Sequence, residues 1–397
     1  MKKPQRGFTL VELLVAVSLG LLVMGAGVVV YQQAQASATY VSQRTAVQAN
    51  ARAAINQLGQ NLNLAGYGLP IGGVVVPSAA VFTCTNSSGS STYAYNCPAS
   101  ALAFPVTSGN ATLTGVMGGY LPGVIINGNQ TDVLMIAYVD SSPNFYQDNP
   151  SVTLGFDSHP LLQATVSGGT TTLYFDTANT YPAINDAQWG FKPGDLVMVS
   201  NSSGEAIGEV TSVTASYLQL ASGDAMSLNQ PHGTSGSVPN VLGFASGTET
   251  YNATTNPLLA TTVNRVYIVS YYAQTDPLLE ASGTSANPTR LYRMVNGDSS
   301  KNPPVPVAEQ ISNLTFTYNL FNSVCGGGLL ANQEILTTSQ IGLIKTVNAS
   351  VTGASTLKTT AVPGQAIQQV PLSTSVSPRN LSFYDSYSST TLVGSCS

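Results

Sequence analysis

Apolar residues are distributed unevenly along the chain, and the longest apolar run lies at its beginning. A short basic leader ends at Gly7, and the run then extends from Phe8 to about Tyr31 with one carboxylate inside it, Glu12. At a rise of 1.5 Å per residue, roughly 24 helical residues are about 36 Å long, enough to cross the hydrocarbon core with some tilt. The pattern therefore predicts a membrane-spanning helix over residues 8–31.

The helix is expected to continue beyond the membrane as an amphipathic half over residues 32–66. This segment contains no proline, and Gly59 is its only glycine before Gly66. Apolar residues recur at helical spacings and predict one buried face: Val47, Ala51, Ala54, Ile55, Leu58, Leu62 and Ala65. Gly66, Gly68 and Pro70 are expected to end the helix.

After the helix, the pattern changes to short runs rich in β-branched and aromatic residues, separated by Gly, Asn, Pro and Ser. Leu314–Leu320 alternates apolar and polar positions, as a strand with one buried face does. The other candidate strands are Val133–Val139, Thr171–Phe175, Asp195–Ser200, Glu209–Val213, Tyr217–Ala221, Val263–Tyr272, Leu291–Val295 and Ile341–Val351. The pattern predicts an α+β fold, in which the long helix packs on a mainly antiparallel β domain over residues 67–397.

Within this β domain, two segments stand apart in composition. A smaller subdomain or insertion is expected at about 150–260. Residues 225–262 are rich in Gly, Ser, Thr and Asn, and this composition predicts ordered surface loops or an insertion.

Charge is sparse and acidic. Charged residues make up 8% of the chain and hydrophobic residues 43%, with a formal net charge of −5. This composition favours a folded chain over a disordered one. Between residues 8 and 131 the only charged residues are Glu12, Arg44 and Arg52. Because no basic patch is available to neutralise phosphates, nucleic acid is not expected as a partner.

The junction between leader and apolar run resembles the amino terminus of type IV prepilins. The matching residues are Gly7-Phe8-Thr9-Leu10-Val11-Glu12-Leu13. An ordinary signal peptide cleaved after Ala34-Gln35-Ala36 and a plain membrane anchor are the alternatives. The apolar run is longer than the 7–15 residues that are typical of a signal peptide, and a carboxylate inside it is unusual.

Several later segments are similar to the PilW family of type IV pilus assembly proteins, which are minor pilin-like subunits. They are Leu64-Ala65-Gly66-Tyr67-Gly68, Pro193-Gly194-Asp195-Leu196-Val197-Met198-Val199, Arg290-Leu291-Tyr292-Arg293, the run from Val307 to Tyr318, and Pro378-Arg379-Asn380-Leu381. The resemblance implies a type IV pilin-like fold and a subunit that helps to prime or cap pilus assembly. Residues 69–190 and 222–262 match nothing in that pattern.

The resemblance also implies a route through the cell. The basic leader keeps the amino terminus in the cytoplasm while the chain spans the inner membrane once. Prepilin peptidase would cleave between Gly7 and Phe8, Phe8 would be N-methylated, and the protein would pass to a pilus in the periplasm and at the cell surface. The implied partners are other minor and major pilins, the inner-membrane assembly platform and a tip adhesin. Adhesion and twitching motility are the activities that such pili serve.

Glu12 has the most specific role implied by the resemblance. A carboxylate inside an apolar membrane helix is unfavourable unless a partner offsets its burial. Cleavage creates a positive amine on Phe8, and in a filament the amine that pairs with Glu12 would belong to a neighbouring subunit. The pair would then set the axial stagger between helices.

The cysteines are expected to form disulfides after export. Cys84, Cys97, Cys325 and Cys396 allow three pairings. Cys84 and Cys97 bracket a polar loop, and Cys325 with Cys396 would tie the carboxyl terminus to the body, so this pairing is favoured. No CxxC motif or histidine cluster supports a zinc site instead.

No motif points to catalysis, a metal or a cofactor, so the chain is not expected to be an enzyme. His159 and His232 lie beside prolines and are expected in solvated loops. The segment Asn127–Asp132 lacks the carboxylates that calcium needs and predicts a hairpin turn. Trp189 is expected in the core rather than at a surface contact.

Two questions remain open at this level. Arg290 and Arg293 can pair locally with Glu309 or another acid, or they can dock another subunit. A pseudopilin of a type II secretion system shares every amino-terminal feature, and a tip adhesin or adhesin platform is a further alternative.

Overall fold

The structure, a computed structural model, is a long helix that leads into antiparallel sheets. It describes residues 9–70, 72–82, 102–103, 106–107, 110–118, 122–126, 129–140, 159–175, 183–188, 190–244, 249–252, 261–275, 289–297, 301–321, 329–334, 336, 338–355 and 367–378. Helix α1 spans Leu10–Leu64, and the predicted α+β fold is confirmed.

Residues next to α1 determine where the helix begins and ends. The helix begins two residues later than predicted because Thr9 is its N-cap, with an extended backbone at φ −78° and ψ 151°. It ends at the predicted place, where Gly66 has a φ of 76°. A left-handed conformation is unfavourable for residues with a Cβ. The Gly66 amide donates to the Ala137 carbonyl at 2.8 Å, so the helix end is fixed to a strand of the β domain.

The strands of the described residues are short in the first part and longer afterwards. In chain order they are β1 Val74–Val75, β2 Val81–Phe82, β3 Leu102–Ala103, β4 Val106–Thr107, β5 Asn110–Leu113, β6 Val116–Met117, β7 Pro122–Ile126, β8 Asn129–Asp132, β9 Leu134–Val139, β10 His159–Ser167, β11 Thr170–Phe175, β12 Leu196–Asn201, β13 Gly204–Glu209, β14 Ser212–Val213, β15 Tyr217–Ala221, β16 Glu249–Asn252, β17 Thr262–Thr275, β18 Thr289–Val295, β19 Val305–Glu309, β20 Ile311–Leu320, β21 Leu330–Gln333, β22 Ile344–Ala354 and β23 Gln369–Val376. A four-residue helix, α2, spans Val238–Val241, and a 3₁₀ helix spans Thr338–Leu343.

Two sheets carry most of the architecture. The helix sheet has the order β21-β20-β22-β23, and the large sheet has the order β13-β12-β17-β10-β11-β15-β14. In the large sheet, β9 and β18 also pair with β17, β19 pairs with β18, β6 pairs with β9, and β16 pairs with β10. We call β16, β10, β11, β15 and β14 the distal strands. All the pairings are antiparallel.

The helix core lies between α1, the helix sheet and one face of the large sheet. Its buried helix residues include Ala54, Leu58, Leu62 and Ala65, as the predicted stripe requires. Sheet residues such as Phe316 and Val347 complete it. Strand β9 alternates, so that Leu134 and Ile136 face this core and Met135 faces a second core. A third core lies beneath the distal strands.

Three sequence predictions need correction. The run Glu209–Val213 is not one strand, because β13 ends at Glu209 and β14 begins at Ser212. His159 is the first residue of β10 rather than a loop residue. The first three residues of the predicted strand Ile341–Val351 belong to the 3₁₀ helix, so β22 begins only at Ile344. Within residues 225–262, predicted as surface loops or an insertion, the third core buries Val238, Val241, Leu242 and Phe244.

The predicted hairpin at Asn127–Asp132 is confirmed. Strands β7 and β8 pair antiparallel, and Ile126 lies opposite Asn129. The two residues between them lie outside the described residues.

Candidate assembly site on the amino-terminal helix

The first half of α1 exposes its apolar side chains on all sides. Leu10, Leu22, Val23 and Met24 are each about 70% exposed or more, and the helix is long and apolar enough to cross a membrane. Every residue from Leu10 to Gln35 is exposed. We call residues 10–35 the exposed half. Exposure of so large an apolar surface to water is unfavourable, so this half requires lipid or other apolar helices around it.

Glu12 lies in the first turn of this exposed half and closes a capping box with Thr9. The Thr9 amide donates to Glu12 Oε2 at 3.0 Å, and the Thr9 hydroxyl donates to the same oxygen at 3.1 Å. The Glu12 amide in turn donates to Thr9 Oγ1 at 3.3 Å. A capping box satisfies amides that have no partner within the helix. Glu12 therefore has a partner within its own chain before any second subunit is present.

The second half of α1 docks on the β domain along one stripe. We call residues 36–64 the docked half. Contact begins with the half-buried Ala36, Tyr40 and Gln43, and Val47 is the first fully buried side chain. Residues 32–35 stay exposed, so the docked half begins slightly later than the predicted residue 32. At the start of the stripe, Gln368 Nε2 donates to the Tyr40 carbonyl at 3.4 Å.

Helix α1 approaches the helix sheet closely at Gly353 of β22. A Cβ placed on Gly353 would lie 2.7 Å from Val47 Cγ1 and 3.6 Å from the Ala51 Cβ. That spacing leaves no room for a side chain on the strand, so the glycine allows the helix to approach the sheet.

A polar cluster fixes the other end of the docked half. Asn61, which is 6% exposed, donates from Nδ2 to the hydroxyl of Tyr271 and to the Gln57 carbonyl, the latter at 3.3 Å. Burial raises the pKa of Tyr271, although the charge of the nearby Arg293 opposes the shift. Polar partners in a core restrict how the two elements can pack. This cluster was not predicted from the sequence.

The two arginines of the Arg290–Arg293 segment have different partners. Arg290 Nη2 lies 2.9 Å from Glu309 Oε1, and these residues face each other across β18 and β19. The local pairing predicted as one of two alternatives is therefore confirmed for Arg290. Arg293 instead lies near Tyr138 and Tyr271, and its positive charge opposes the rise in pKa that burial causes at both hydroxyls.

The Pro193-Gly194-Asp195 turn also contributes to a buried junction. Asp195 lies 3.4 Å from Arg265 Nε, and Asp140 lies 3.7 Å from Arg265 Nη1. The guanidinium donates to the Gly190 carbonyl at 2.7 Å and lies 4.5 Å from the centre of the Phe191 ring. Burial raises the pKa of Asp195, and Arg265 opposes that shift. This cluster joins β12 to β17, and its role is structural.

Other predicted site residues are placed differently or not at all. His232 is exposed in a turn, as predicted. Gly7, Phe8, Trp189 and the four cysteines, namely Cys84, Cys97, Cys325 and Cys396, lie outside the described residues. Among the residues that the structure describes, no group of three or more His, Cys, Asp or Glu side chains could hold a metal ion.

Residues 2–28 match the family of the prokaryotic N-terminal methylation motif. The chain carries a prepilin-type amino terminus. This motif supports a type IV pilin-like or pseudopilin subunit, processed by prepilin peptidase and associated with other pilins. It points to a structural protein anchored in a membrane and later incorporated into a fibre. No curated protein and no solved structure matches the chain.

Proposed function

We propose that the chain is a minor subunit of a type IV pilus, of the PilW type, which helps to prime or cap pilus assembly. The observation that carries the proposal is the prepilin-type motif over residues 2–28, continuous with an exposed apolar half-helix. The docked half attaches that helix to a β domain. A subunit of this form can offer one helix to a fibre core and keep its domain outside.

In this proposal the precursor spans the inner membrane once with its amino terminus in the cytoplasm. Prepilin peptidase cleaves between Gly7 and Phe8, and the new amine is methylated. The assembly platform then moves the mature subunit from the membrane into the fibre. Other minor and major pilins are its neighbours there, and a tip adhesin is a further partner.

Glu12 is proposed to set the position of the subunit in the fibre. Before assembly, Thr9 satisfies the carboxylate through two hydrogen bonds. Within the apolar fibre core, the carboxylate is expected to pair with the amine of a neighbouring subunit. Loss of one member of a buried ion pair leaves the other charge unmatched and is strongly unfavourable. The pair would thereby permit one axial stagger between helices and penalise others.

The size of the β domain supports a minor rather than a major role. A major subunit repeats densely along the shaft, whereas this chain has 397 residues and several sheets beyond the one that packs on α1. Quantitative mass spectrometry of sheared filaments tests this point. We expect far fewer copies of this chain than of the main subunit, and near-equal abundance would contradict the minor role. Recovery from secretion pseudopili instead of pili would assign the chain to a type II secretion system.

Processing can be tested separately from abundance. Gly7→Phe should block the peptidase and leave a longer precursor in the inner membrane. The mature wild-type protein should begin at Phe8 with a methylated amine, which peptide mass analysis can detect. A mature amino terminus near Ser37 would indicate an ordinary signal peptide and overturn the proposal.

A further inference from the structure

The distal strands have one face on the third core and a second face turned away from it. Leu173 of β11 and Leu218 of β15 are fully buried on the inner face. On the outer face, Gln163, Tyr174 and Tyr217 form one row, because Gln163 pairs with Tyr174 and Tyr174 pairs with Tyr217. Neighbouring strands are about 4.8 Å apart, so these side chains follow one another at a regular spacing.

A second row runs parallel to the first across the same strands. Thr165, Thr172, Gln219 and Ser212 are successive partners in the register of β10, β11, β15 and β14. Thr172 is buried, while the other three side chains are half-buried and reach the surface. The outer face therefore presents hydroxyl and amide groups in two ordered rows.

The polar groups of the outer face are unused within the described part of the chain. The side chains of Gln163, Thr165, Tyr174, Tyr217 and Gln219 make no hydrogen bond to another described residue. The same holds for Ser212. Unused donors and acceptors side by side can bind a ligand that offers matching groups at similar spacing.

The outer face is also uncharged. Strands β10, β11, β14 and β15 contain no Asp, Glu, Lys or Arg. The one charged residue of β16, Glu249, pairs with Val166, whose side chain belongs to the third core and not to the outer face. An anionic ligand finds no cation on these strands, and the net charge of the chain, −5, opposes it further. A cationic ligand finds no carboxylate on β10, β11, β14 or β15. The charge pattern therefore selects for a neutral ligand.

An aromatic pair lies within the first row. The rings of Tyr174 and Tyr217 are 5.6 Å apart at their centres, with planes tilted by 59°, and both residues are half-buried. Tyrosine combines an apolar ring face with a polar hydroxyl. Such a pair can pack against the C–H groups of a sugar ring while its hydroxyls bond to the sugar.

We propose that the outer face of the distal strands binds a neutral polysaccharide. A polysaccharide offers many uncharged hydroxyl groups, which can hydrogen-bond to the side chains of the two rows. It also has apolar ring faces, which can pack against the rings of the tyrosine pair. A protein partner fits less well, because protein interfaces centre on an apolar, fully buried patch. Among the side chains of these strands that the structure describes, Leu162, which is 43% exposed, is the only exposed large aliphatic one. The face would allow a surface fibre to hold an uncharged glycan.

The test is binding of the full chain to a panel of immobilised neutral glycans, with heparin and hyaluronan as anionic comparators. The protein should be kept in a detergent without a sugar head group, so that the detergent does not compete. We expect retention on at least one neutral glycan and none on the anionic ones. Tyr174→Ala and Tyr217→Ala should each weaken retention by roughly tenfold.

Two further variants keep the test independent of folding. Gln219→Ala removes an amide from the outer face without touching the third core, and it should also weaken retention. Tyr67→Ala is the matched control, because Tyr67 is 43% exposed and lies after α1, outside the distal strands; it should bind like the wild type. Retention on no neutral glycan, equal retention on heparin, or unchanged binding by all three outer-face variants would overturn the proposal. Loss of a homodimer in Tyr217→Ala, seen by sedimentation, would mean that the face joins two copies instead.

Discussion

The two halves of α1 belong to one continuous helix, yet their apolar residues have opposite surroundings. In the exposed half, Leu22 is 70% exposed, whereas in the docked half Leu58 is fully buried. The backbone is helical throughout, from Leu10 to Leu64. The difference therefore lies in the neighbours of the side chains and not in the local structure. The docked half stabilises its own domain, and the exposed half is left to contact other molecules.

The largest expected difference between the halves concerns stability. Leu58→Ala should lower the free energy of unfolding by about 2–5 kcal/mol, because it removes a fully buried side chain from the helix core. The matched variant Leu22→Ala should change it by less than about 0.5 kcal/mol, because that side chain is 70% exposed. Urea unfolding of the full chain in detergent measures both. An equal loss of unfolding free energy in the two variants would show that both halves of α1, and not only the docked half, stabilise the protein.

A pair of glycines sharpens the same comparison with effects of opposite sign. Gly353→Ala should destabilise the protein by about 1–3 kcal/mol, because the new methyl group would press on Val47. Gly59→Ala should stabilise it by about 0.5–1 kcal/mol, since Gly59 lies inside α1 and its added Cβ meets no atom within 4 Å. Unfolding midpoints of both variants test the prediction. A neutral Gly353→Ala would mean that the helix can move away from β22 at little cost.

A polar pair should have a smaller effect than the apolar contacts. A double-mutant cycle of Asn61→Ala and Tyr271→Phe should give a coupling energy of about 0.5–1.5 kcal/mol, which is typical of one buried hydrogen bond. The cycle separates that bond from the loss of packing in each single variant. Additive effects within error would show that the bond does not help to fix the helix on the sheet.

The smallest effect is expected away from both halves of the helix. Arg290→Gln should change the free energy of unfolding by less than about 1 kcal/mol, because Glu309 is 56% exposed and the ion pair is screened by solvent. Raising the salt concentration should reduce even that difference. A loss above 2 kcal/mol would mean that Arg290 serves another purpose, such as contact with a second subunit.

Periodic apolar patterns were sufficient to predict the helix and the strands in which the spacing of apolar residues along one segment determines the buried face. The stripe from Val47 to Ala65 is buried as predicted, and the alternating run Leu314–Leu320 lies within β20. Strand β13 was missed because Gly204 and Gly208 weaken the strand signal. The buried apolar residues within 225–244 were missed because Gly and Ser separate them.

Contacts between distant residues could not be predicted in this way. Asn61 and Tyr271 are separated by 210 positions, and no local pattern links them. A signal existed, because Asn61 follows Ala54 and Leu58 on the buried face of α1, where a polar side chain requires a partner. The identity of that partner depends on the register of β17, which only the structure supplies. For Glu12, by contrast, the motif alone was sufficient to select the residue.

We propose that the exposed half enters a fibre and that Glu12 sets its position there. The most direct measurement is the amount of Glu12→Ala protein in sheared filaments, relative to the amount in the membrane. Ser18→Ala is the matched control, because it removes another polar atom from the same half, one that bonds only within its own helix. We predict normal insertion and cleavage for both variants, wild-type incorporation for Ser18→Ala and sharply reduced incorporation for Glu12→Ala. Wild-type levels of Glu12→Ala in the filaments would contradict the account.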